Sequence, residues 1–245
     1  MQTFRGAFIS LGLAALLFTS ASSPHGALAV ADHLSVGPAL ILWRQGTDQG
    51  LVETITPAVV ENRRTWRITH YSQDPTATNI NEYDMYELDR ATLAPIRSVM
   101  NTDGLHLDLT FGEKEVTVHK TTTDGDSVER VPLATAVQPE GPGLDVFVAT
   151  LPLAVSYRKS YFIVDRWDGH GSGRIKTVSL SVAGRAVEET SLGKQEVYDI
   201  LIKSGDGSFQ IAEKVLAKGL HFPVSVKYTR GGKTYPVSEV VAIAQ

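Results

Sequence analysis

Asp165, Trp167, Asp168, His170 and Arg174 gather around the run Gly169-His170-Gly171-Ser172-Gly173. These are the side-chain types that build small catalytic or metal sites. A serine nucleophile on a sharp strand-to-helix turn needs glycines two residues away on either side, and here those places hold His170 and Arg174. A dinucleotide loop must open a helix, and no helical pattern follows. A glycine-rich run between two polar-apolar alternating segments suits the tip of a hairpin.

The remaining histidines after residue 29 are His33, His70, His106, His119 and His221. None pairs with another at the spacing of a helical zinc site such as H-E-x-x-H. His106 and Asp108 share one face of the run Leu105–Phe111, and His119 falls on the next run. A two-histidine, one-carboxylate metal site would use such a set, but a solvated polar face is the simpler reading. The chain has no cysteine, so no thiol can act as nucleophile or ligand, and no motif groups Ser, His and Asp. The expectation is therefore no catalytic residue, no metal and no cofactor.

The residues left to carry function are apolar. Trp66 and Ile68, then Leu107, Leu109 and Phe111, then Val224, Val226 and Tyr228, each recur at a period of two, the mark of strands with one face buried. Those faces either pack together as a core or line a concave cavity for a lipid or acyl chain. A curled sheet with few helices can lack the side chains to fill its inside.

The elements that must position these residues are mostly strands. Tyr83–Leu88, Pro95–Met100, Leu105–Phe111 and Val116–Thr122 are separated by short turns, one of them Thr102-Asp103-Gly104. Connections this short force antiparallel pairing. Earlier, Thr65–Tyr71 reads as a strand, and Pro57 marks Leu51–Glu61 as an edge or bulged strand. Three prolines make Val131–Gly143 a crossover loop. Leu144, Phe147, Val148 and Leu151 fall at i, i+3, i+4 and i+7, which fits a short amphipathic helix ended by Pro152, with a strand as the alternative. The meander then resumes with Tyr161–Trp167, Arg174–Ala183, a loop at Glu188–Gly193, Glu196–Lys203, Ser208–Leu216, Phe222–Thr229 and Tyr235–Ile243. Roughly ten to twelve strands with one or two helices make a mainly β chain, a single curled antiparallel sheet as a half-barrel or open barrel.

Of 245 residues, 42% are hydrophobic and 20% charged, with a net charge of −4. This is ordinary globular composition and too acidic for a nucleic-acid footprint. At the N-terminus Arg5 precedes an uncharged apolar run, Ala7–Phe18, and the small residues Ala27-Leu28-Ala29 follow. That is the plan of a secretory signal peptide over 1–29, leaving a single domain over 30–245. An uncleaved anchor is the alternative, although the run is short for a membrane span. Without cysteine the exported chain can be neither a lipoprotein nor disulfide-linked, which fits a periplasmic protein with no integral membrane span after cleavage.

The order of segments resembles a large family of exported bacterial proteins known only as a domain of unknown function. The likeness lies in Glu87-Leu88-Asp89 with Thr92-Leu93-Ala94-Pro95-Ile96-Arg97, in Leu151-Pro152-Leu153, in Val182-Ala183-Gly184 with Leu192-Gly193, and in Phe222-Pro223-Val224 with Gly231-Gly232. Phe209-Gln210-Ile211 stands where that family usually carries an aromatic residue, often Trp. The family looks like the curved half-barrels that handle lipids and lipoproteins in the cell envelope. The resemblance implies a β half-barrel that binds an apolar envelope ligand. A scaffold or envelope-assembly factor that binds proteins is the alternative, and an envelope hydrolase the third reading. Protein recovered from the periplasm should have the intact mass of a chain beginning at Val30, and a mass beginning at Met1 would contradict export with cleavage.

Overall fold

A computed structural model describes residues 38–46, 49–73, 82–102, 104–166 and 174–245. The expected signal peptide, His33 and the Gly169–Gly173 run lie outside these residues. The first half of the chain forms β1 (Ala39–Gln45), β2 (Gln49–Val60), β3 (Arg63–Gln73), β4 (Glu82–Asp89), β5 (Pro95–Thr102), β6 (Leu105–Phe111), β7 (Glu115–Thr122) and β8 (Gly125–Pro132). One helix, α1 (Pro142–Ala149), follows a crossover segment. The second half forms β9 (Arg158–Asp165), β10 (Arg174–Thr190), β11 (Gly193–Ser204), β12 (Phe209–Leu216), β13 (Pro223–Arg230), β14 (Lys233–Thr234) and β15 (Ser238–Ala244).

All these strands belong to one antiparallel sheet in the order β8-β7-β6-β5-β4-β3-β2-β1-β15-β13-β12-β11-β10-β9, with β14 beside β13. Each half is a meander of neighbours joined by short turns. The first and last described strands, β1 and β15, pair with each other and weld the halves together.

Two readings of the sequence need correction. The strand carrying Pro57 is interior, between β1 and β3. Pairing of β1 reaches only Ile55, so Pro57 lies past its end and its missing N–H leaves no gap on that side. The expected loop Glu188–Gly193 is instead the end of a long hairpin, in which β10 runs to Thr190 and turns through Ser191-Leu192 into Gly193 at φ 87. This tip extends beyond the pairing of β9, which stops at Ser181, so it has little apolar alternation to reveal it. Strand β8 had no apolar pattern either, because six of its first residues are exposed and only its bonds to β7 make it a strand.

The sheet does not close edge to edge. Val164 points away from Tyr161 and Ile163 on β9, yet it packs with Met100, Leu107, Leu109, Val116 and Val118 from the inward face of β5–β7, and Ile175 of β10 joins them. The inward face of the first half therefore laps over the outward face of β9 and β10. The crossover runs along the β9 edge, where the Gln138 N–H donates to the Phe162 carbonyl at 2.7 Å and bridges Ile163 in parallel. That covers one edge that would otherwise stay unpaired.

Inside the roll, α1 acts as a wedge. Val146 and Ala149 pack on the inward residues of β1–β4, while Leu144, Phe147 and Val148 pack on those of β9–β12. Every residue of α1 except Asp145 is buried. The helix ends at Ala149, two residues short of the apolar pattern, because Thr150 and Leu151 turn tightly onto the Phe147 and Val148 carbonyls at 3.1 Å each.

One ion-pair knot fixes the helix and the overlap together. Arg166, directly after β9, is 1% exposed. Its Nη1 donates to Asp84 Oδ1 at 2.8 Å and to Ser98 Oγ at 3.0 Å, and its Nε to Glu140 Oε1 at 2.7 Å. Its backbone N–H also reaches Glu140 Oε1, at 3.0 Å, and the guanidinium lies 4.8 Å from the Tyr86 ring centroid. The crossover passes this knot only because two of its residues lack side chains. A Cβ on Gly141, at φ +55, would stand 2.5 Å from Arg166 Nη2, and one on Gly143 would stand 2.8 Å from the Pro139 Cβ.

Removing one partner of such a buried pair leaves uncompensated charge, a loss of about 3–5 kcal/mol. Arg166→Met should lower the urea midpoint by that order. Adding Asp84→Asn and Glu140→Gln to Arg166→Met should recover most of the loss. No recovery would mean that Arg166 acts through its bulk alone.

Candidate functional site

Beside α1 the roll leaves a cavity of about 260 Å³. Its apolar wall includes Trp43 of β1, Leu144 of α1, Tyr161 and Ile163 of β9, Phe209 of β12 and Val226 of β13. The cavity exists because the wedge between the two half-sheets is only eight residues long.

Five carboxyl groups also line it, Glu53, Asp84, Glu140, Asp145 and Glu213, together with His70. Strand alternation delivers most of them. Glu53 of β2 stands opposite His70 of β3, and His70 opposite Asp84 of β4, so one row crosses three strands. Glu213 comes from β12, on the other half-sheet, and Asp145 from the helix between them. Asp84 and Glu140 are neutralised by Arg166. Among the described residues, Glu53, Asp145 and Glu213 have no cationic partner within ion-pair distance. Glu53 receives one bond, from Trp43 Nε1 to Oε2 at 3.2 Å.

Burial without a counter-charge disfavours the ionised form. It pushes the Asp145 carboxyl up to about 7. Burial, then the nearby charge of Asp145, raises both Glu53 and Glu213 well above the usual carboxylate range. The same burial lowers His70 and so favours its neutral form, and it raises the Tyr161 phenol.

Four buried polar atoms of cavity residues have no protein partner: Glu53 Oε1, Glu213 Oε2, His70 Nε2 and Tyr161 OH. Each such atom costs about 1–3 kcal/mol when left unpaired.

Of the apolar residues singled out in the sequence, the structure brings Val226 and Tyr228 to the cavity wall. Trp66, Ile68 and Val224 pack instead into the cluster beneath β1–β4. Leu107 and Leu109, both at 0% exposure, pack into the overlap, with Phe111 against them. Leu107, Leu109 and Phe111 fill space that the sequence left open to either reading, because the lapped face of β9–β10 lies beneath β5–β7, and Trp66, Ile68 and Val224 cluster with Val146 and Ala149 of α1. The set His106, Asp108 and His119 lies on the opposite face. There Asp108 accepts from Arg97 Nε at 3.0 Å and Nη2 at 2.5 Å, a pairing that lowers its carboxyl. Among the described residues no group of three His, Asp or Glu side chains is arranged to hold a metal. Asp165, from the glycine-rich run's flank, is fully buried and bound to Arg230 and Lys176, each at 2.8 Å.

The sequence carried a signal for the acidic residues that the apolar search passed over. Leu51-Val52-Glu53-Thr54-Ile55 puts Glu53 on the Leu51 and Ile55 face, and Ile211-Ala212-Glu213-Lys214-Val215 puts Glu213 on the Ile211 and Val215 face. A charge at an inward position of an alternating run is the informative exception.

The Asp145 shift sets a pH dependence. A carboxyl raised in the folded state stabilises fully below its unfolded value of about 3.9, and that contribution is lost as pH rises through about 7. At pH 8 the ionised Asp145 should therefore cost about 4 kcal/mol. Asp145→Asn should raise Tm by roughly 8–16 °C at pH 8 and change it little at pH 4. Equal effects at both values would show that the carboxyl is not desolvated.

No family profile matches the chain, and no curated protein matches it. Among solved structures, the chain is similar to the crystal structure of a β-barrel-like protein of the domain of unknown function DUF1849 from Brucella abortus. The two are 10% identical, with a TM-score of 0.54, over 84% of this chain and 97% of that one. At that identity the likeness is one of fold, so the chain has the β-barrel-like fold of a domain of unknown function.

Proposed function

We propose that the protein binds a compact ligand with an apolar body in the cavity beside α1, without turnover, as an exported protein of the periplasm. The observation that carries this reading is the cavity itself, about 260 Å³ walled by Trp43, Leu144, Tyr161, Ile163, Phe209 and Val226. Apolar cavities with a few convergent polar groups are the usual form of small-ligand sites. At about 30 Å³ per atom of liquid-like packing, the space takes roughly nine non-hydrogen atoms. A sixteen-carbon acyl chain exceeds that, so the ligand is smaller than the long lipid chain that the half-barrel resemblance implies. Export rests on the N-terminal sequence.

A second reading is a protein-binding scaffold. Leu40, Leu42, Val52 and Val241 leave a strip of exposed apolar side chains on β1, β2 and β15, at 43, 37, 36 and 37% exposure, and such a strip suits a partner surface.

Burial of an eight-carbon chain gains roughly 6 kcal/mol gross, and association takes back a large share. Isothermal titration with octan-1-ol should therefore show saturable one-to-one binding with Kd of about 1 mM. Val226→Trp, which fills the cavity from a half-buried position, should fold and lose that binding. Leu109→Trp should instead destabilise the domain by roughly 1–3 kcal/mol, because it overpacks a solid cluster. No saturable octanol binding by the unmodified protein would remove the cavity reading and leave the scaffold one.

A further inference from the structure

We propose that the ligand of this cavity carries a protonated amine on its apolar body, held by Glu53, Asp145 and Glu213. This rests on the reading of the cavity as a ligand site and gives that ligand its polar end.

The first support is the charge of the wall. No lysine or arginine lines the cavity, while five carboxyl groups do. Arg166 accounts for Asp84 and Glu140, and Tyr228 OH accepts from Arg230 at 2.9 Å. That leaves the three carboxyls without a cation, contributed by two half-sheets and the helix between them. Elsewhere in the molecule a fully buried carboxylate is matched. Asp165 has both Arg230 and Lys176. Three unmatched carboxyls converging on one space are an expensive arrangement for a purely structural core.

The second support is independent of the acids. Tyr161 OH and His70 Nε2 are buried and unpartnered on the same cavity. With Glu53 Oε1 and Glu213 Oε2 they supply acceptor positions on several sides. An ammonium group presents three donors and no acceptor, which complements such a wall. Trp43, Tyr161, Phe209 and Tyr228 add aromatic surface, on which a desolvated cation is favoured further. A carboxylate or phosphate ligand would find no lysine or arginine on this wall.

The ion's arrival also resolves the protonation problem of the empty wall. One ammonium needs one net negative charge. It favours ionisation of one carboxyl, and the others keep their protons and complete the hydrogen bonds. The volume restricts the ligand to a small amine, since a whole diacyl lipid would require several times the space.

The test compares three probes of equal chain length on the unmodified protein at pH 7.5: octylamine, octan-1-ol and octanoate. By isothermal titration octylamine should bind at least tenfold more tightly than octanol, and octanoate should not bind. In Glu53→Gln/Asp145→Asn/Glu213→Gln the ratio between octylamine and octanol should fall to about one. These are near-isosteric changes that remove charge from a buried site, but the comparison on the unmodified protein stands without them. Octanol binding with octylamine no tighter would overturn the amine assignment and leave the cavity reading in place. Binding of neither would overturn both. A tenfold preference that survives the triple substitution would overturn the assignment of the carboxyls.

Discussion

Arg166 is the point on which the rest of the molecule depends. A guanidinium withdrawn from water must meet nearly all its donors, and here they are met by groups from β4, β5 and the crossover. These elements are far apart in sequence. Their convergence holds the overlapped edge of the sheet against α1. The glycines at 141 and 143 follow from the same requirement, since a Cβ at either position would collide with the knot or the ring beneath it. Such a pair adds little net stability over an apolar replacement of equal volume, but it tolerates few other arrangements. The hypothesis that it specifies the way the sheet laps over itself is motivated by its position at the meeting of both halves.

The contrast between compensated and uncompensated charge organises the interior. Asp84, Glu140 and Asp165 are buried and matched by cations. Glu53, Asp145 and Glu213 are buried and raised instead toward their neutral forms. Both sets lie within the same roll, so burial alone does not separate them. The difference is that Arg166 reaches only the Asp84 and Glu140 side of the cavity, while Arg230 and Lys176 meet at Asp165, and none of them pairs with Glu53, Asp145 or Glu213.

The helix explains why the inside is solid in one region and hollow in another. A wedge of eight residues fills the space between β1–β4 and β9–β12 with Val146, Ala149, Leu144, Phe147 and Val148. The overlap fills the space under β5–β7 without any helix, because the outward face of β9–β10 supplies Val164 and Ile175. Only the flank of the wedge stays open.

The sequence by itself determined most of the strands and their antiparallel pairing, because alternation at period two and short turn signals are local properties, and it favoured a helix over a strand at Leu144–Leu151. Leu105–Phe111 shows this most plainly. Local pattern failed where pairing alone makes the strand, in β8 and the far end of β10, and it could not show that Pro57 lies beyond the end of β1. The inward faces of Trp66, Leu107, Leu109 and Val224 were legible, but whether void or protein lay beneath them was not. That depends on which remote surface arrives, and the arrival of β9–β10 over β5–β7 is decided by packing across the whole chain. Glu53 and Glu213 were visible as charges in apolar registers. Their meeting with Asp145 around one cavity, beyond the reach of Arg166, was decided only by the tertiary structure, because electrostatic partnership depends on distance in space and not on position along the chain.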